Sequence, residues 1–117
     1  MYPAQFDYHT PGTIREALDL LGRHKDDAKL LAGGHSLLPA MKFRLARPAH
    51  VVDLRKIPGL SGIKEESGTL VIGAMTTHYA VESSAVVKSK CGVLAQTAAM
   101  IGDPMVRNMG TIGGSLA

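Results

Sequence analysis

Within the first 34 residues, one helix pattern stands between two strand-like runs, and the second run ends on Gly33-Gly34. Nothing else in the chain restricts its fold as much. Phe6 to His9 reads as a short strand closed by Pro11-Gly12. Thr13-Ile14-Arg15-Glu16 is a capping box, in which the Thr13 hydroxyl accepts from the Glu16 amide and the Glu16 carboxylate reaches back. Ile14, Ala17, Leu18 and Leu21 fall at i, i+3, i+4 and i+7, which predicts one apolar helix face. Gly22 and the polar run Arg23 to Asp27 end that helix, and Ala28 to Ala32 reads as a buried strand. A strand–helix–strand order predicts a parallel pair. Ligands of open parallel sheets sit beyond the carboxyl ends of the strands, where Gly33 and Gly34 fall.

Further along, Ser36 predicts the cap of a short helix through Phe43, with Pro39 tolerated in its first turn. His50 to Asp53 is a third short strand. Ile57-Pro58-Gly59 breaks the chain, giving a first lobe over 1–57 and the start of a second over 58–117. In the second, Ile63 to Glu66 and Leu70 to Gly73 read as a hairpin about Ser67-Gly68. Thr77 or His78 opens a helix through Ser83. A longer helix is expected from about Val86 to Ile101, with Val93, Leu94, Thr97, Met100 and Ile101 on one face. Gly102-Asp103-Pro104 ends it, and a loop to Gly110 follows.

A second glycine pair closes this order: Gly110-Thr111-Ile112-Gly113-Gly114-Ser115. Lacking a Cβ, two successive glycines let backbone N–H groups converge on an anion, and a diphosphate is a common guest of such concavities. Two of these segments in one chain suit a large dinucleotide-like cofactor held at two places. Neither matches G-x-G-x-x-G or G-x-x-x-x-G-K-[ST], so neither a dinucleotide fingerprint nor a nucleotide-triphosphate loop is indicated. Taken singly, a Gly-Gly step is more often an ordinary turn than a phosphate loop.

Composition narrows the partners. The formal charge is +3, and Lys and Arg are scattered apart from a modest group between Lys42 and Lys56. With five Phe or Tyr and no Trp, the chain lacks the dense basic stripe and interleaved aromatics of a nucleic-acid binder. A single cysteine, Cys91, excludes an internal disulfide and a self-contained iron–sulfur cluster, and fits a reducing cytoplasm. No secretory leader is evident, and no run approaches the roughly 18 apolar residues of a transmembrane segment. His9, His24, His50 and His78 are too dispersed in sequence to suggest a metal site. Arg107 either orders the second glycine segment or meets an acidic group, if it is not simply solvated. Lys42, Arg44 and Arg47 read as an ordinary charged face, Asp53 as a structural strand-end residue and Cys91 as a small buried one.

Longer stretches carry a resemblance. Lys29-Leu30-Leu31-Ala32-Gly33-Gly34-His35-Ser36-Leu37-Leu38-Pro39, then Met41 to Pro48 and Val52-Asp53-Leu54, resemble the FAD-binding medium subunit of molybdenum hydroxylases, the carbon monoxide dehydrogenase and xanthine dehydrogenase group. Ile101 to Ala117 is similar to that family's second FAD loop, and Phe6-Asp7-Tyr8 with Glu16-Ala17-Leu18 to its N-terminus. The resemblance implies an α+β (α/β) two-lobed flavin fold of the PCMH type, with a β-α-β first lobe on a small parallel sheet and an incomplete second lobe. It implies FAD contacts at Ala32, Gly33, Gly34, His35, Ser36 and Leu37, and at Thr111, Ile112, Gly113, Gly114 and Ser115. Implied partners are a molybdenum-cofactor large subunit and a [2Fe-2S] small subunit, whose electrons pass through FAD to an external acceptor. No acid–base residue is implied. Some relatives of this fold bond flavin covalently to a histidine at the place of His35; the Leu37-Leu38-Pro39 continuation favours the group that does not. The family continues beyond the place of Ala117, so a truncated chain with weak flavin retention is expected. A remnant that binds no cofactor is the alternative.

Overall fold

The computed structural model describes residues 2–117. They divide into two compact units, one ending at Pro58 and the other Gly59–Ala117.

The first unit is built on a three-stranded parallel sheet in the order β1-β3-β2, with β1 Asp7–His9, β2 Ala28–Leu31 and β3 His50–Asp53. The most apolar strand takes the centre, where Val51 and Val52 are both buried because neighbours cover both faces. Helix α1, Ile14–His24, returns the chain from β1 to β2. Thr13 Oγ1 accepts from the Glu16 amide at 3.1 Å, whereas the Glu16 carboxylate reaches the Gly12 amide at 3.0 Å. The capping box is thus displaced by one residue on its return arm. Of the expected face only Ala17 is buried, and Ile14 and Leu18 are exposed. Three strands of three or four residues cover only a narrow stripe of an 11-residue helix. Helix α2, Leu37–Lys42, supplies Met41 to a core with Leu31 and Val51, against which Phe6, Leu37 and Ala46 pack. Ser36 stands at its N-cap, but its backbone is already helical (φ −106°, ψ −46°) and its hydroxyl makes no capping bond.

In the second unit β4, Ile63–Glu66, and β5, Thr69–Ile72, form an antiparallel hairpin. Ser67 and Gly68 both have positive φ, 49° and 79°, the pairing of a two-residue type I′ turn. Helices α3 His78–Ser83, α4 Ala85–Lys90 and α5 Gly92–Ala99 follow. The single helix expected over Val86 to Ile101 is broken at Cys91, whose φ −151° and ψ 70° leave helical space. Cys91 is half-buried rather than buried. The break also overturns the expected apolar face: Val93 and Met100 are 70% and 83% exposed, while Ala95 and Ala98 are buried with Val81 and Val87. Two alanines allow α5 to lie close against its neighbours, so bulk is turned outward.

Gly102-Asp103-Pro104 ends α5 as expected, yet no loop follows. Asp103 Oδ1 accepts from the Val106 amide at 3.0 Å, and Pro104 takes the first position of helix α6, Pro104–Met109. Arg107 on α6 is not solvated. Its Nη1 donates to the Ala99 and Ile101 carbonyls at 3.1 and 3.2 Å, satisfying the end of α5. Its Nε lies 3.0 Å from Glu82 Oε2 on α3, a half-buried ion pair that sits off the hydrogen-bond axis.

Candidate functional site

Each glycine segment has its own construction. In the first unit, Gly33 and Gly34 follow the carboxyl end of β2, the position expected from the parallel sheet. Gly34 has φ +82°, a conformation costly for any residue with a Cβ. A Cβ there would also lie 2.9 Å from Leu38 Cδ1 and 3.4 Å from Leu31 Cδ1. The Gly34 carbonyl accepts from the Leu38 amide at 3.0 Å, which launches α2. By contrast, the backbone N–H groups from Gly33 to Leu37 have no hydrogen-bond partner among the described residues. Ala32, Gly33 and Gly34 are half-buried, His35 and Ser36 are exposed, and Leu37 reaches back to the core. The result is a short bend of free donors with little side-chain bulk over it, able to receive an anion.

The second segment is a short helix, α7, Ile112–Leu116, rather than an open loop. Here the donors are engaged. The Ile112 amide donates to the Thr76 carbonyl at 2.9 Å and the Gly113 amide to the Ala74 carbonyl at 2.9 Å. The Gly114 amide donates to Thr111 Oγ1 at 3.0 Å, and the Ser115 amide to the Thr111 carbonyl at 3.1 Å. Thr77 and Thr111 form an isolated antiparallel bridge. Gly113 is required by the chain itself: a Cβ there would lie 2.6 Å from the Ala74 oxygen and 2.7 Å from its Cβ. The glycine permits contact with residues 74–76, and the polar atoms left outward belong to side chains such as exposed Ser115.

Behind this segment stands a histidine whose sequence context gave no hint of it. His78 is 4% exposed, and its Nε2 lies 2.8 Å from Ser115 Oγ. Its amide donates to the Gly110 carbonyl at 3.0 Å, and its ring fills the space a Cβ on Gly110 would need. Burial holds the imidazole below its ordinary pKa, so it stands neutral and orients the Ser115 hydroxyl. Thr76, also buried, both accepts from the Gly62 amide at 2.9 Å and donates to the Gly62 carbonyl at 3.1 Å. These supports lie about 35 residues from the segment they hold, a separation across which no local pattern exists.

Asp53 is structural, as expected. It is buried, accepts from the Tyr8 hydroxyl and the Arg55 amide, and pairs with Arg55 Nε at 2.8 Å. The bond to Asp53 pushes the Tyr8 pKa up. Dispersed in sequence, three of the histidines are nonetheless gathered by the folding of the first unit: His9 Nε2 is 3.1 Å from His50 Nδ1, and the His24 ring stacks on His50 at 3.5 Å. Strand pairing and a helix end, neither visible as spacing, bring them together.

Comparison with known proteins gives these features a context. Residues 4–117 match the family described as FAD binding domain in molybdopterin dehydrogenase. The chain is 54% identical over 117 residues to the carbon monoxide dehydrogenase medium chain of Hydrogenophaga pseudoflava, covering all of this chain and 41% of that one. It is 51% identical over the same length to the medium chain of Afipia carboxidovorans, again 41% of the relative. Among solved structures, carbon monoxide dehydrogenase of Hydrogenophaga pseudoflava lacking the Mo-pyranopterin moiety of its cofactor matches with a TM-score of 0.96 at 53% identity, over 99% of this chain and 40% of that chain. The chain therefore spans about two fifths of the length of these relatives.

Proposed function

The chain belongs to the family of FAD binding domains in molybdopterin dehydrogenases, and from that premise we propose that it is a flavin-holding part of a molybdenum hydroxylase medium subunit of the carbon monoxide dehydrogenase type. One observation carries most of the weight: the run of unengaged backbone donors from Gly33 to Leu37, beside a glycine locked at φ +82°. A diphosphate meets such donors without displacing any existing bond. The first contact set is Ala32, Gly33, Gly34, His35, Ser36 and Leu37.

Thr111, Ile112, Gly113, Gly114 and Ser115 form the second set, and its role differs. With its amides engaged, this segment offers the Ser115 hydroxyl, aimed by His78, to a cofactor oxygen. FAD, when bound, supplies the redox chemistry, taking up and passing on electrons. The chain's own residues bind and orient it. Cys91 alone cannot hold a cluster, so a [2Fe-2S] small subunit and a molybdenum-cofactor large subunit are the proposed electron sources, with an external acceptor downstream. Among the described residues no helix is long and apolar enough to cross a membrane, and the proposed location, the cytoplasm, rests on the single free cysteine.

Titration with FAD tests this reading, followed by quenching of flavin fluorescence. Saturable binding is expected with a Kd between about 1 μM and 1 mM, and weaker binding of riboflavin, which lacks the diphosphate. No saturable binding of FAD, or equal binding of riboflavin, would overturn the assignment.

A further inference from the structure

We propose that His9, His24 and His50 form a binding site for one divalent transition-metal ion of the zinc type, separate from the glycine segments. The topology assembles it. Asp7 and His50 are direct partners across the β1–β3 ladder, and His9 lies two residues beyond Asp7, on the same face of the sheet. His24 is delivered to that face by the last turn of α1. One ligand nitrogen from each histidine lies within 4.8 Å of the others.

The spacing fits an ion. His9 Nε2 and His50 Nδ1 are 3.1 Å apart, close to the roughly 3.3 Å between two ligands on a tetrahedral zinc with bonds of about 2.0–2.1 Å. His24 stacks on His50 with rings inclined by 16°, and one of its nitrogens lies within 4.8 Å of the ligand nitrogens of His9 and His50. Asp7 Oδ2, 3.7 Å from the same His50 Nδ1, brings a carboxylate to the edge of the cluster. All three histidines are half-buried, which limits their rotamers and favours a fixed site. An imidazole donor set suits zinc, copper, nickel or cobalt rather than magnesium or calcium. Bound there, the ion ties β1, α1 and β3 together.

The test is titration of the chain with Zn²⁺ and, as a visible probe, Co²⁺. One equivalent is expected to be retained through gel filtration, with Tm raised by about 5 °C or more at saturation. Co²⁺ is expected to give ligand-field bands without a sulfur charge-transfer band. His24→Gln, at a helix end outside the sheet pairing, weakens binding by about tenfold or more. His9→Gln does the same and serves if the first variant does not fold. Cys91→Ser leaves binding unchanged. Failure of the wild-type chain to take up one equivalent, binding unaltered in the folded histidine variants, or loss of binding in Cys91→Ser would each overturn the site. Flavin titration is read separately and does not bear on it.

Discussion

Gly113→Ala offers the sharpest measure of how the second glycine segment is held. The new Cβ would stand 2.6 Å from the Ala74 oxygen, 2.7 Å from its Cβ and 3.0 Å from its Cα. Comfortable carbon contacts begin near about 3.5 Å, so the backbones must part by roughly 0.5–1 Å. No flexible side-chain tip can give way, because two of the three atoms are backbone. That movement strains the Gly113–Ala74 and Ile112–Thr76 hydrogen bonds, each 2.9 Å. Overpacking costs about 1–3 kcal/mol and a lost hydrogen bond about 0.5–1.5, offset by up to about 1 kcal/mol of improved helix propensity. A net loss of about 2 kcal/mol lowers Tm by roughly 8–16 °C for a unit of this size. The control is Gly92→Ala, at the start of α5 with nothing within 4 Å of the added methyl, expected to change stability by less than about 0.5 kcal/mol. Thermal unfolding followed by circular dichroism reads both variants. A Gly113→Ala protein within about 2 °C of wild type, or a Gly92→Ala protein that falls as far, refutes the close-approach argument.

Three further outcomes follow from the same geometry. Gly34→Ala places a Cβ at φ +82°, at a cost of about 1–2 kcal/mol, and weakens FAD by about tenfold in the quenching titration; unchanged affinity removes Gly34 from the site. His78, held below its ordinary pKa by burial, binds its proton more readily in the unfolded chain, so its contribution is full above about pH 6.5 and is lost as pH falls toward its folded value. Urea midpoints at pH 7.5 and 5.5 are expected to differ by less in His78→Gln than in wild type, and an equal difference refutes the assignment. With His35 proposed as a loop residue that forms no bond to the flavin, FAD bound to the protein is expected to leave with the supernatant on acid precipitation; flavin that stays with the polypeptide shows a covalent bond instead.

What the sequence made legible is local or periodic. The parallel sense of the first two strands could be inferred from the order Phe6–His9, Ile14–Leu21, Ala28–Ala32, but not that β3 stands between them so that they do not pair directly; the hairpin could be read about Ser67-Gly68. Asp103-Pro104 could have been read as a helix start, since an N-cap aspartate before proline is a strong signal, but the expectation of a loop hid it. Gly92, a poor helix former directly after Cys91, is the one local sign of the break in an otherwise helical run over 86–101. The face of α5 was misread because hydrophobicity favours Val93 and Met100 where close packing favours alanine. The histidine cluster and the His78–Ser115 contact depend on pairings across 41 and 37 residues, which one sequence does not encode as spacing.

The two glycine pairs look alike as sequence and differ as physics. At Gly34 the missing Cβ permits a left-handed turn, and the amides beside it have no other use. At Gly113 the missing Cβ is filled by Ala74, and the neighbouring amides already serve the unit's own structure. A diphosphate therefore gains new hydrogen bonds at the first segment without a competing loss. At the second it must share donors that are engaged, or use the Ser115 hydroxyl that His78 aims. In the proposed site, backbone recognition of an anion therefore rests on the first segment. Substitutions at Gly34 should then act on affinity first and at Gly113 on folding first, so that one motif, read twice in the same chain, carries two separable functions.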